Sequence, residues 1–195
     1  MTLLGDVEVP PRPAARLEQI IGGQRYGWLL AAAEEVRHRL AGRTVWNVNS
    51  TAVGGGVAEM LQCLVGYVQD LGVPIRWLVI GGDAEFFAIT KRLHNHLHGH
   101  VGDGGPLDAA AARHYERVLD GNAVELVRRV RPGDVVLLHD PQTAGLVAPL
   151  VSAGARVVWR CHIGLDESND ATRAGWEFLR PHLSAAHAFV FSRAE

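Results

Sequence analysis

Cysteine is scarce in this chain, with Cys63 and Cys161 the only two among 195 residues. They lie far apart and carry no partner motif, which excludes a disulfide framework and fits reduced, buried thiols in a cytoplasmic protein. No run of Lys and Arg occurs and the formal net charge is −2. The sequence therefore lacks the electrostatic footprint of a nucleic-acid binder. Its apolar runs are short, so no transmembrane helix and no membrane partner are expected. The first nine residues are mixed and carry acids, unlike a signal peptide. No internal repeat or low-complexity tract is visible. What remains is enough chain for one compact domain with a real core.

The most informative stretch runs from Trp46 to Met60 and reads as a buried strand, a polar turn, three glycines and the start of an amphipathic helix. Such a turn makes an anion site, because free N–H groups of the first helical turn point outward and the helix dipole favours negative charge. Glycine lets a ligand approach with no Cβ in the way. No Lys-Ser or Lys-Thr follows the glycines, so the Walker A loop is excluded, and the spacing is not Gly-x-Gly-x-x-Gly. The plainer alternative is a tight turn with only a packing role, although three glycines exceed what a turn needs.

Pro10, Pro11 and Pro13 mark an extended arm ahead of the fold. Leu29, Ala33, Val36 and Leu40 recur at helical spacing, with Gly42 as a stop. Strands are expected over 44–49, Ile75–Ile80, 134–139, 155–161 and Ala188–Phe191. Helices are expected over 57–71 (apolar face Leu61, Leu64, Val65 and Val68), Ala84–Leu97, 107–130 with a break near Gly121, 142–152 and 176–183. Nearly all-apolar strands alternating with helices predict an α/β fold, a doubly wound, mostly parallel Rossmann-like sheet. Residues 1–42 read as an arm with helices and 43–195 as the sheet domain. Ligands of such sheets bind outside the carboxyl ends of the strands. Three polar segments lie there: 49–56, 139–142 and 160–162.

These segments also carry a resemblance. It rests on Val48-Asn49-Ser50-Thr51 with Gly54-Gly55-Gly56-Val57-Ala58-Glu59, on Glu85-Phe86-Phe87, Thr90-Lys91 and His94-Asn95, on His139-Asp140-Pro141-Gln142, on Trp159-Arg160-Cys161-His162-Ile163, and on Trp176-Glu177-Phe178-Leu179 with Phe189-Val190-Phe191-Ser192. In this order they resemble the N-terminal half of the glycosyltransferring trehalose synthases, retaining family 4 glycosyltransferases with the GT-B fold. The resemblance implies a nucleotide-sugar donor, a sugar acceptor, no separate cofactor, and a cleft whose second wall is a C-terminal donor-binding domain. Glu195 falls where the first domain of such an enzyme ends, so a fragment is expected. A homodimer is left open. One departure is Gly164, where the family has Asp, with Asp166 and Glu167 following.

The resemblance implies a catalytic role for His162, facing the donor sugar and acting as a neutral polar contact rather than a base. It implies substrate contacts for Asn49, Gly54, Gly55, Gly56, Glu85, Lys91, His139, Asp140 and Arg160. Each has a plainer alternative: a satisfied core histidine for His162, a helix cap for Asp140, and a solvated first turn for Asp83 and Glu85. His94 and His98 share a helical face at a usable zinc spacing, but no acid or cysteine completes a set, so no metal is expected. A hydrolase using Asp140 with Asp166 or Glu167 would need a carboxylate separation that sequence cannot supply. Two readings compete with the transferase: another hexosyltransferase or a phosphorylase-like enzyme, and a non-catalytic small-molecule-binding Rossmann domain.

Overall fold

The computed structural model describes residues 3–192, folded around one six-stranded sheet. Strands β2 (Val45–Asn49), β3 (Ile75–Ile80), β4 (Val135–His139), β5 (Arg156–Cys161) and β6 (Ala188–Phe191) are parallel. Only β1 (Leu4–Asp6) is antiparallel, and the order is β1-β3-β2-β4-β5-β6. The mostly parallel, doubly wound α/β sheet expected from alternating apolar strands and helices is what forms.

Side chains alternate between two cores, as the period of a strand requires. Trp46, Val48, Leu78, Ile80, Val136, Leu138, Val157 and Trp159 enter the larger core. Helices α4 (Ala84–Leu97), α5 (Ala109–Arg129), α6 (Val147–Ser152) and α7 (Asp170–Leu183) supply its other wall. Trp77 on the opposite face packs against Val57, Ala58, Leu61 and Val65 of α3 (Gly56–Asp70). The short helix α1 (Glu18–Ile21) leads into α2 (Gly23–Leu40), whose Ala33 and Leu29 form a separate small cluster with Ala14, Leu71 and Tyr67.

Several elements differ from the sequence reading. The fold begins before the prolines, not after them: Leu4 is buried and pairs with Ile80. A three-residue strand has too few alternations to announce itself. Helix α5 runs unbroken through Gly121, because that glycine admits Leu3 closely and its neighbour Asn122 holds both backbone groups of Gly81. The segment expected as one helix over 142–152 is a 3₁₀ stretch (Pro141–Leu146) followed by α6. Helix α7 starts at Asp170, six residues before Trp176, because Asn169 and Thr172 form a reciprocal capping box. Leu64 is 48 % exposed rather than part of the α3 core, and Cys63 is exposed rather than buried. No helix among the described residues is long and apolar enough to cross a membrane.

Asp134 ties the amino ends of β2 and β4 together. Its buried carboxylate accepts from the Thr44 N–H at 2.8 Å, the Trp46 indole at 2.9 Å and the Arg131 N–H at 3.0 Å. Burial alone would raise its pKa, but these three bonds hold it below the usual carboxylate value. Asp134→Ala is expected to cost about 2 kcal/mol, since it leaves two part-buried N–H groups and a buried indole without their charged acceptor. Urea unfolding of both proteins checks this, and a loss below about 1 kcal/mol would show that water replaces the carboxylate.

Candidate active site at the sheet switch point

The chain leaves β2 in one direction to make β3, then crosses back through α4 and α5 to make β4. The carboxyl ends of β2 and β4 therefore diverge into loops on opposite sides of the sheet, which opens a crevice. A cavity of about 170 Å³ lies there. Its wall includes Asn49, Gly54, Gly55 and Gly56, His139 and Asp140, and His162. The three polar segments singled out from sequence thus converge on one site.

Asp140 organises it. This residue adopts φ 65° and ψ 177°, a backbone region natural to glycine alone and strained for any other residue. Its N–H donates to the Arg160 carbonyl at 2.8 Å, and its own carbonyl receives the Trp159 indole at 3.1 Å. Tyr115 is buried and donates to the Pro141 carbonyl at 2.6 Å, pinning the segment from below. The Asp140 carboxylate does not cap the following 3₁₀ turn. It instead accepts from His162, from the backbone N–H at 3.2 Å and from Nδ1 at 2.8 Å. With Nδ1 so engaged, Nε2 is the His162 atom left for a ligand, and the ring is 38 % exposed.

His139 is 1 % exposed and its Nε2 lies 3.1 Å from the Asn47 amide oxygen. Burial, reinforced by the charges of Arg160 and His162, pulls its pKa down to about 4, so it is neutral at physiological pH. Its Nδ1 is buried and has no partner. Asn49 borders the cavity, but its side chain is committed to the fold: Nδ2 donates to the Thr51 carbonyl and Oδ1 accepts from the Trp77 indole, both at 2.7 Å. It holds the loop rather than offering free polar atoms.

Gly54 and Gly55 have φ of 72° and 87°, which only glycine adopts without strain. Gly56 differs. Its φ is not positive, and a Cβ added there meets nothing within 4 Å. No side chain caps the α3 amino terminus, which begins at Gly56. The fold itself gives no reason for glycine at this position.

Arg160 sits beside His139 in the β4–β5 register without lining the cavity, and its Nη1 is buried without a partner. Lys91 is exposed on α4, one turn from His94, and also lies outside the wall. Glu85 faces elsewhere: its carboxylate is 3.1 Å from His114, which also contacts Asp83 at 2.8 Å. Asp83 caps α4 through the Phe86 N–H. Cys161 is buried and its thiol is pushed up to about 12 by that burial, so it is a packing residue. Among the described residues no group of three or more His, Cys, Asp or Glu could hold a metal. The His94 and His98 rings instead meet edge to face at 4.8 Å.

The wall also holds residues outside the expected contacts, Ser50, Thr51, Val57, Ala58 and Ile163 together with the polar side chains of His94 and Gln142. His94 reaches the cavity with its Nδ1 buried and unpartnered. Burial and the nearby Lys91 and His98 charges lower its pKa. Its motif was visible in sequence, but the i, i+4 histidine spacing directed attention to metal rather than to the cleft.

The profile of the trehalose synthase N-terminal domain matches residues 47–195. The chain belongs to that family. It is 37 % identical over 162 residues to a trehalose synthase of Pyrococcus horikoshii, covering 83 % of this chain and 37 % of that protein. To a trehalose synthase of Rubrobacter xylanophilus it is 35 % identical, covering 93 % and 42 %. The chain thus spans about two fifths of the length of these curated relatives. A trehalose-phosphate synthase (UDP-forming) from Burkholderia xenovorans, solved in complex with glucose-6-phosphate, superposes with a TM-score of 0.59 at 22 % identity. That match covers 78 % of this chain and 41 % of the other, and it establishes the fold as the Rossmann-like half of a GT-B glycosyltransferase.

Two outcomes follow from the site geometry. Gly56→Ala is expected to leave folding intact or stabilise it by up to about 1 kcal/mol, since alanine favours a helix. The same change is expected to weaken binding of an anion at the amino terminus of α3, whereas Gly55→Ala lowers the melting temperature through its positive φ. Calorimetric melting and binding on each variant test the pair, and unaltered binding by Gly56→Ala would make this glycine a mere turn residue. The second outcome concerns pH. His139 has a folded pKa of about 4 against an ordinary 6.5, so below pH 6.5 the unfolded chain takes up a proton that the folded chain refuses. Stability is therefore expected to fall as pH drops from 6.5 to 4, and His139→Gln should flatten that part of the profile. Parallel profiles for the two proteins in this window would contradict it.

Proposed function

We propose that this chain forms the acceptor-side wall of a retaining glycosyltransferase, one that moves glucose from a nucleotide-glucose to glucose and so makes trehalose. The observation that carries the reading is the Asp140–His162 pair set against the Gly54–Gly56 loop in one cavity at the switch point. A second domain binding the donor nucleotide would supply the other wall, and the nucleotide-sugar is a substrate rather than a resident cofactor.

In this reading the departing phosphate meets the uncapped N–H groups at the start of α3, where the helix dipole favours developing negative charge. His162, held at Nδ1 by Asp140, turns Nε2 to a hydroxyl of the sugar being transferred. The ring is already oriented, so no reorganisation is needed as the sugar gains oxocarbenium character. None of the cavity-lining residues is Lys or Arg. That supports a neutral sugar acceptor over a phosphorylated one, for which a cation would be needed to replace lost hydration.

A phosphorylase is the second reading. It is favoured by 28 % identity over 185 residues to a trehalose phosphorylase of Pleurotus sajor-caju. Supplying the full gene product with glucose and either nucleotide-glucoses or glucose 1-phosphate separates the two by which donor yields trehalose. In the same assay His162→Ala is expected to lower kcat roughly 30- to 1,000-fold, the worth of a contact made mainly in the transition state. The melting temperature should stay near that of the parent protein, because the ring is partly exposed. A destabilised variant with full kcat would remove His162 from the chemistry.

A further inference from the structure

Beyond the residues that touch the cavity, one buried side chain has a polar contact that the fold alone does not require. Asn47 lies in the middle of β2, is 4 % exposed, and faces the side of the sheet covered by α3 rather than the larger core. A central strand position between two cores is normally apolar. Here its amide oxygen is 3.1 Å from Nε2 of His139. A carbonyl oxygen only accepts, so Nε2 must carry the proton and Nδ1 the lone pair.

Nδ1 is then a buried acceptor without a partner, on a residue that forms part of the cavity wall. An unmatched buried polar atom in a native structure calls for an explanation. The charged and titratable groups facing the ring are Arg160 and His162, with Asp140 adjacent in sequence and tied to His162. Neither Arg160 nor His162 makes a hydrogen bond to Nδ1, and Asp140 carries no donor while ionised. A sugar hydroxyl can, because it brings the missing O–H.

We propose that Asn47 is a positioning residue: it locks His139 as the Nε2–H tautomer, so that Nδ1 accepts a hydrogen bond from a hydroxyl of the bound sugar. The inference rests on the reading of the cavity as a sugar site. His139 then acts as an orienting acceptor and not as a general base, because a ring that stays unprotonated to about pH 4 binds a proton too weakly for that task.

The tautomer is directly observable. In ¹⁵N spectra of the histidine-labelled chain at pH 7, Nε2 of His139 is expected at the protonated position and Nδ1 at the unprotonated one. Asn47→Leu should release this preference. Asn47→Asp, which keeps the shape and adds a negative charge, should raise the midpoint at which His139 titrates. Adding glucose, and separately a nucleotide-glucose, should move the Nδ1 resonance toward the hydrogen-bonded range. An Nδ1–H tautomer, or a protonated ring at pH 7, would overturn the proposal. So would an Asn47→Asp variant with unaltered His139 titration. If the Gly54, Gly55 and Gly56 amides respond to sugar while Nδ1 does not, the role of His139 falls and the sugar site stands. If neither responds, both fall together.

Discussion

The strained backbone at Asp140 is the constraint on which the site depends. A residue leaving a parallel strand would ordinarily continue outward into its loop. Asp140 instead turns back at φ 65°, and this conformation survives because its surroundings determine it several times over. The Arg160 carbonyl takes its N–H, the Trp159 indole takes its carbonyl, and Tyr115 clamps the next residue. Two of these partners, Trp159 and Tyr115, are completely buried in the larger core. The energy stored at one position is thus supported by aromatic packing on the far side of the sheet. Its consequence is that the carboxylate reaches across to β5 and holds His162, instead of capping the 3₁₀ turn beneath it.

The same logic explains why the two faces of the sheet differ. The face toward α4, α5, α6 and α7 is almost wholly apolar and provides rigidity. The face toward α3 carries Asn47, Asn49, His139 and Arg160 near the carboxyl ends of the strands. Buried polar groups on a sheet are costly unless paired. Asn49 is fully used by Trp77 and Thr51, and Asn47 by His139. Among the described residues, the buried side-chain polar atoms without partners are Nδ1 of His94 and Nδ1 of His139, both on residues of the cavity wall, and Nη1 of Arg160 beside His139. The unmatched atoms concentrate where the fold opens, which is the pattern of a site built for a polar occupant.

Much of this was legible in the sequence, and for identifiable reasons. The strand Ile75–Ile80 stands out because both faces of a parallel strand are covered, while Ala188–Phe191 stands out as an apolar run although its residues are exposed at the sheet edge, and the bounds of both match the structure. Glycine runs and His-Asp or Cys-His pairs directly after such strands marked the cavity, since strand ends in this topology converge. The pairing of Asp140 with His162 was not legible. It spans 22 residues and arises from the β4–β5 register together with a backbone conformation that a sequence does not announce for aspartate. Glu85 shows the converse. Its motif placed it in the family's set, yet one turn of helix points it to His114 and away from the wall. Helical phase separates Glu85 from His94 on the same element, and only the latter reaches the cavity.

Charge placement gives the cavity its chemical character. Arg92 pairs with Asp103 and Arg129 with Asp6 outside it, where Asp83 and Glu85 also meet His114. Inside, Asp140 is the only carboxylate among the lining residues, and it is already engaged by His162. The remaining contacts are backbone groups of a glycine loop, imidazoles whose pKa is lowered by burial, and the amide of Gln142. Such a wall offers donors and acceptors in balance with little net charge. A fully charged ligand would lose hydration there with no fixed counter-charge, apart from a phosphate resting on the amino terminus of α3. A polyhydroxylated ligand loses little, because each hydroxyl both donates and accepts and can meet groups of either kind. Under the proposed function, the cavity would discriminate by hydrogen-bond polarity rather than by charge. That selectivity depends on holding His139 and His94 neutral, which burial and the adjacent cations accomplish without any ligand present.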